Sequence, residues 1–138
     1  MQEFSSYKAR VYYEDTDAGG IVYHSRYLNF CERARTELFA SYDTPFFGPD
    51  FGFVVVSANC DFLSPLRLGD EFYVQNFLLN ISRASFILRQ LVRGKDAKLM
   101  FKADIRLALL CYKNDIFKPS PLPHELCEVL KTLQRCEI

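Results

Sequence analysis

Between Ala97 and Tyr112 the chain alternates with a period of two. Leu99, Phe101, Ala103, Ile105, Leu107 and Leu109 fall on one side, and Lys98, Met100, Lys102, Asp104, Arg106 and Ala108 on the other. This pattern predicts a strand with one buried and one wetter face. At the usual rise its length is roughly 50 Å, against roughly 35–40 Å for a domain of this size, so the sheet must curve or carry a bulge. A second alternating run, with Tyr7, Ala9, Val11 and Tyr13 opposite Lys8, Arg10, Tyr12 and Glu14, predicts a first strand that reaches Glu14. The period then changes: Tyr27, Cys31, Ala34, Leu38 and Tyr42 recur at three-to-four spacing, predicting a long amphipathic helix over Ser25 to Tyr42. Arg33 with Glu37, and Glu32 with Arg35, can pair along its sides.

Asp43-Thr44-Pro45 ends the helix, because a residue before proline is pushed out of the helical region. Phe46 to Phe53 is an aromatic loop that suits the edge of a core or the wall of an acyl pocket. Strands follow over Val54–Leu63, Glu71–Leu79 and Phe86–Val92, separated by Pro65, Leu68-Gly69-Asp70 and Ser82-Arg83, with Gly94-Lys95-Asp96 before the last strand. Pro119, Pro121 and Pro123 stop the sheet. His124 to Gln134 reads as a short helix with Leu126, Val129, Leu130 and Leu133 as its stripe and His124 as a surface or capping residue. The prediction is one α+β domain over residues 1–138: a curved antiparallel sheet wrapped around one long helix, with a short C-terminal helix.

Composition narrows the function classes. The chain is 49% hydrophobic and 25% charged, which suits one globular core. Its 17 basic and 17 acidic residues cancel, so no overall field favours nucleic acid or an anionic membrane. The N-terminal residues lack a basic segment followed by an apolar run, and no stretch is long enough to insert in a membrane, so a cytoplasmic location is expected. Cys31, Cys60, Cys111, Cys127 and Cys136 are widely spaced with no Cys-X-X-Cys pair, so reduced thiols are expected, with Cys31 and Cys111 in the core, and no metal site.

The chemistry concentrates in Tyr13-Glu14-Asp15-Thr16-Asp17-Ala18-Gly19-Gly20-Ile21-Val22-Tyr23-His24. A carboxylate at Asp17 beside a helix N-terminus has unpaired backbone N–H groups near it to hold a developing oxyanion. Gly19 and Gly20 let the chain turn tightly and let a substrate carbonyl approach the backbone. His24 is expected in the first helical turn, where it can donate to a carbonyl oxygen or leaving group, or orient the carboxylate. The same residues also suit plain capping and turn roles.

This stretch, with Tyr27 and Glu32-Arg33-Ala34-Arg35 after it, resembles the signature of the hotdog-fold acyl-CoA thioesterases. Within them it is most similar to the 4-hydroxybenzoyl-CoA thioesterase type and to the bacterial branch associated with the Tol-Pal envelope system. The resemblance implies a hotdog fold and hydrolysis of acyl-CoA thioesters without a cofactor. It makes Asp17, the acid of the Asp-X-X-Gly turn, the catalytic carboxylate, as nucleophile or general base, and puts the oxyanion donor at a backbone N–H near Tyr23 and His24. His24 stands where the benzoyl enzyme has a tyrosine, a departure that counts against an aromatic substrate.

Tyr13, Gly20, Tyr23 and Tyr27 are candidate substrate contacts. Arg67 and Arg83, with Arg89, Lys98 and Lys102, are candidate cations for the CoA phosphates. The resemblance also implies sites shared between subunits of a homodimer or homotetramer. The carrier is left open between CoA and acyl carrier protein. Two other readings stay open: a hotdog dehydratase or hydratase, and a non-catalytic acyl-CoA-binding protein. Glu32 is a rival catalytic acid, because some hotdog thioesterases place theirs on this helix.

Overall fold

The computed structural model describes residues 6–42 and 50–133. Strand β1 (Ser6–Arg10) is followed by a single-turn 3-10 helix (Tyr13–Asp15) and helix α1 (Arg26–Ala40). Strands β2 (Phe51–Phe62), β3 (Glu71–Ile81), β4 (Ser85–Arg93), β5 (Leu99–Lys113) and β6 (Ile116–Pro119) follow, and helix α2 (His124–Lys131) comes last. The sheet is antiparallel in the order β1-β3-β4-β5-β2, and β6 folds back on β5 beyond the end of β4. The hotdog arrangement expected from the resemblance is the one observed.

The curvature demanded by the length of β5 comes from irregular registers. The pairing slips between Val55 and Ser57 in β2, between Leu78 and Asn80 in β3, and between Val92 and Arg93 in β4. An extra residue on one strand bends it and raises the local twist. The curled sheet receives one face of α1, whose Tyr27, Phe30, Cys31, Ala34, Leu38 and Phe39 are buried. From β3, β4 and β5 come Phe72, Val74, Phe86, Leu88, Phe101, Ala103 and Ile105, the inward set of each alternation. Leu126, Val129 and Leu130 of α2 join the same core.

Several expectations need correction. The first strand stops at Arg10, and Tyr13 and Glu14 lie in the 3-10 turn with Tyr13 83% exposed. The Val11 amide still donates to Asp70 O, after which the chain turns so that the buried Asp15, not Tyr13, faces inward. The sheet does end at Pro119, but a sixth strand that the alternation did not signal precedes it. Asn114 and Asp115 take φ of 51° and 62°, the two-residue turn that matches strand twist, so Ile116–Pro119 can pair with β5. Among the described residues neither expected ion pair on α1 forms; Arg35 instead turns inward and donates from Nη1 to Gln90 Oε1 at 2.9 Å. Cys111 is only half-buried, whereas Cys31 is fully buried and its thiol is pushed up to about 12 by burial. The expected helix stop at Asp43–Pro45 lies outside the described residues, as does the first part of the aromatic loop. Neither helix is long and apolar enough to cross a membrane.

Candidate active site

Asp17 sits at the corner of a short hairpin. Thr16 pairs with Val22, the Asp17 amide donates to Ile21 O at 2.9 Å, and the Gly20 amide donates to Asp17 O at 3.0 Å. Gly20 has φ of +78° with nothing near the place a Cβ would take, so backbone conformation, not space, requires the glycine. At Gly19 the reason is closeness: an added Cβ would lie 3.3 Å from Asp17 Oδ1, the atom that accepts the Gly19 amide at 2.8 Å. One carboxylate oxygen is thereby held. Among the described residues the other, Oδ2, has no hydrogen-bond partner, which leaves it the electron pairs a nucleophile or base needs.

The turn is fastened to the start of α1 by residues that sequence reasoning passed over. Asp15 is 3% exposed; its Oδ2 accepts the Tyr12 amide at 2.9 Å and its Oδ1 lies 3.4 Å from Arg26 Nε. Arg26 also donates to Glu14 O from Nη2 at 2.9 Å and from Nε at 3.2 Å. On the other side the Val22 amide donates to Leu66 O and the Leu68 amide to Gly20 O, so the loop after β2 braces the hairpin. A buried acid eleven positions from a basic helix start leaves no local spacing signal; only the folded chain pairs them.

His24 lies in the turn two residues before α1, not in its first helical turn. Its ring packs 4.3 Å from that of Tyr23 and 6.4 Å from that of Phe62 at the end of β2, centroid to centroid. Among the described residues it makes no hydrogen bond to Asp17. The expected oxyanion donors separate at this point. The Tyr23 amide is used, donating to Asp15 O at 2.9 Å, whereas the His24 amide has no acceptor among the described residues. Ser25 provides no side-chain cap and the first turn of α1 carries no acid, so the partial positive charge of this helix end is not neutralised locally.

The remaining candidates divide. Gly20 belongs to the turn itself, and exposed Tyr13 and half-exposed Tyr23 flank it. Arg67 is brought close, because its backbone pairs with Ile21. Tyr27 is core: its ring stacks on Phe101 with centroids 4.8 Å apart, its hydroxyl accepts the Leu66 amide at 3.0 Å, and burial raises its pKa. Arg83 lies elsewhere. It precedes β4, whose Ser85 faces Ala108, while Phe62 beside His24 faces Phe101. Seven positions along β5 separate these ends by roughly 24 Å.

A cavity of about 440 Å³ lies at the Phe51 end of β2, walled by Phe39, Phe51 and Phe53 with Glu32, Arg35 and Thr36 at its side. The aromatic part of the expected acyl pocket that falls within the described residues is therefore at a cavity, and Glu32 is there too. The Asp17 turn of the same protomer is at the opposite end of β2.

The chain matches the thioesterase-like superfamily over residues 11–130. It is 34% identical over 125 residues to the Haemophilus influenzae acyl-CoA thioesterase YbgC, covering 88% of this chain and 90% of that protein. Among solved structures it is similar to a hypothetical protein from Aquifex aeolicus, with 33% identity, TM-score 0.80 and coverage of 91% of this chain and 98% of the other. A 4-hydroxybenzoyl-CoA thioesterase bound to 4-hydroxybenzoyl-CoA shares the fold at TM-score 0.83 and 19% identity, over 91% of this chain and 96% of that one. With nearly its whole folded length matched, the protein belongs to the thioesterase-like superfamily.

Proposed function

We propose that this protein hydrolyses acyl-CoA thioesters to the free acid and CoA, with Asp17 as the reacting carboxylate. The observation that carries this reading is a carboxylate with one oxygen tied to the Gly19 amide and the other free, on a turn braced against an uncapped helix start. In the nucleophilic form Oδ2 attacks the thioester carbon, the carbonyl oxygen takes the electron pair, and collapse expels CoA thiolate to leave an anhydride. Water then hydrolyses the anhydride and restores Asp17. In the general-base form Asp17 takes a proton from the water that attacks the thioester carbon, and the resulting hydroxyl adduct collapses to the free acid and CoA thiolate, which takes up the proton. Either way the developing oxyanion suits the His24 amide, a donor at the start of α1 without an acceptor among the described residues. The name of the Haemophilus influenzae relative supports acyl-CoA as the substrate. His24 in the place of a tyrosine supports the Tol-Pal-associated branch and a non-aromatic acyl group.

The site is completed by a second copy. Among the described residues β2 pairs with β5 on one side only, and Val54, Val55 and Val56 are exposed along it, which is an edge that invites pairing. An antiparallel partner across β2 would bring the Phe51 end of one chain to the Phe62 end of the other. The partner's aromatic cavity and the partner's Arg83 would then approach Asp17, which resolves the roughly 24 Å separation within one chain.

A panel of acyl-CoA and acyl-carrier-protein thioesters with thiol release as readout tests the reading. Release of thiol that is lost in Asp17→Asn supports it. Double-bond formation or hydration without thiol release would show a dehydratase or hydratase, and tight binding without turnover would show a sensor.

A further inference from the structure

A cleft of about 1020 Å³ opens where β1, the start of β3 and the loop between β4 and β5 meet, away from the Asp17 carboxylate. Lys8 of β1 and Lys95 and Lys98 of the loop line it. Among the described residues none of these three ammonium groups is within ion-pair distance of a carboxylate. The two acids in the lining are already engaged: Glu71 pairs with Arg10 at 2.6 Å, and Asp70 accepts the Arg67 amide at 2.8 Å. In a chain of zero net charge this cleft therefore carries more cations, Lys8, Arg10, Lys95 and Lys98, than acids, Asp70 and Glu71.

The loop holding two of these lysines is a constrained one. Asp96 and Ala97 both take left-handed φ, 58° and 59°, a conformation disfavoured for a residue with a Cβ. Arg93 Nη1 donates to Ala97 O at 3.0 Å and the Gly94 amide to Lys98 O at 2.9 Å, which holds the strained turn shut. At Gly94 a Cβ would lie 3.3 Å from Met100 Cγ, so the loop is seated directly on the cleft floor. That floor is apolar, with Leu66, Phe72 and Met100, and Tyr12 and Tyr73 offer rings at its sides.

We propose that this cleft binds a nucleotide, its phosphates on Lys8, Lys95 and Lys98 and its base against the tyrosines and apolar floor. Lysine supplies the point charges that phosphates need, and a ring-bearing ligand uses a floor that inorganic phosphate would leave wet. Two sources share this chemistry: the nucleotide end of the CoA substrate, and a separate free nucleotide. Leu66 and Gly69 in the lining flank Arg67 and Leu68, which touch the reacting turn: the Leu68 amide donates to Gly20 O and Arg67 pairs with Ile21. Only the substrate-tail source rests on the hydrolase reading.

The test is calorimetric titration of the full chain with ADP, pyrophosphate and adenosine, in wild type and in Lys8→Ala/Lys95→Ala, with thermal unfolding to verify the fold. The expected result is ADP binding that exceeds both fragments and weakens about tenfold or more in the variant, and also on raising salt. No ADP binding up to about 5 mM, or equal affinity in a folded variant, overturns the proposal. If the double alanine variant unfolds, Lys8→Gln/Lys95→Gln is judged by the same criteria. The source is read from kinetics. A KM raised for acyl-CoA but not for the matching acyl-pantetheine identifies the substrate tail. Equal KM values with ADP binding retained at saturating CoA identify a separate nucleotide. An inactive protein that still binds ADP through these lysines would sink the hydrolase reading and leave the cleft standing.

Discussion

Arg26, the first residue of α1, donates from Nη2 to the carbonyl oxygen of Glu14 at 2.9 Å. Its Nε lies 3.4 Å from the buried carboxylate of Asp15, so one guanidinium joins the helix start to the turn that presents Asp17. Arg26→Ala should lower kcat about tenfold through a displaced turn, and should cost on the order of 1–3 kcal/mol by leaving Asp15 with only the Tyr12 amide. Arg26→Lys should restore part of the stability and less of kcat, because an ammonium lacks the planar fork that serves both groups. Steady-state kinetics beside urea unfolding would separate the two effects. Equal kcat in a destabilised Arg26→Ala protein would make the clamp purely structural.

Asp17→Asn keeps an oxygen for the Gly19 amide, so the turn should persist while the nucleophile or base is lost. Turnover should fall to below about a tenth of wild type, a loss of more than ~1.4 kcal/mol in transition-state stabilisation, with acyl-CoA binding retained. A variant that keeps more activity than this would remove Asp17 from the chemistry.

His24→Ala should lower kcat by about 10²-fold, the usual contribution of one positioned proton donor or acceptor. The His24 amide survives the substitution, so the experiment isolates the imidazole from the helix end. His24→Gln keeps a hydrogen-bond donor but no group that can carry a proton through the reaction, so it should be nearly as slow as His24→Ala. A His24→Gln protein with near wild-type kcat would reduce the side chain to positioning.

Gln90 is fully buried and serves three partners: Nε2 donates to Asn76 Oδ1 at 2.7 Å and to Cys31 O at 2.9 Å, and Oε1 accepts Arg35 Nη1. Burial also lowers the Arg35 pKa, so this guanidinium depends on its acceptor. Gln90→Leu should cost about 1–3 kcal/mol, because it removes the acceptor of the part-buried Arg35 guanidinium and the bonds to Asn76 Oδ1 and Cys31 O together. The midpoint of urea unfolding is the measure. A shift worth under about 1 kcal/mol would mean that water replaces the lost bonds.

Val55→Lys places a charge at the exposed edge of β2 without touching Asp17. If two chains pair there, sedimentation should show monomers and thiol release should fall with the dimer, while circular dichroism stays as in wild type. A fully active monomer would disprove the shared site.

What the sequence by itself determined is periodic or local. The alternation through β5 set the inward face, the three-to-four stripe set the buried side of α1, and the length of β5 required a bent sheet. The Asp17 turn was legible because two adjacent glycines and a carboxylate act over a few residues. Tertiary structure decided whatever depends on partners far along the chain. Tyr27 became core because Leu66 supplies an amide for its hydroxyl, and Arg35 left the helix surface because Gln90, fifty-five positions away, needed a donor. The Tyr23 amide was withdrawn from the oxyanion role because Asp15 O reached it first. Arg83 proved remote from Asp17 for the same reason: strand register, not residue order, sets which ends of a curled sheet meet.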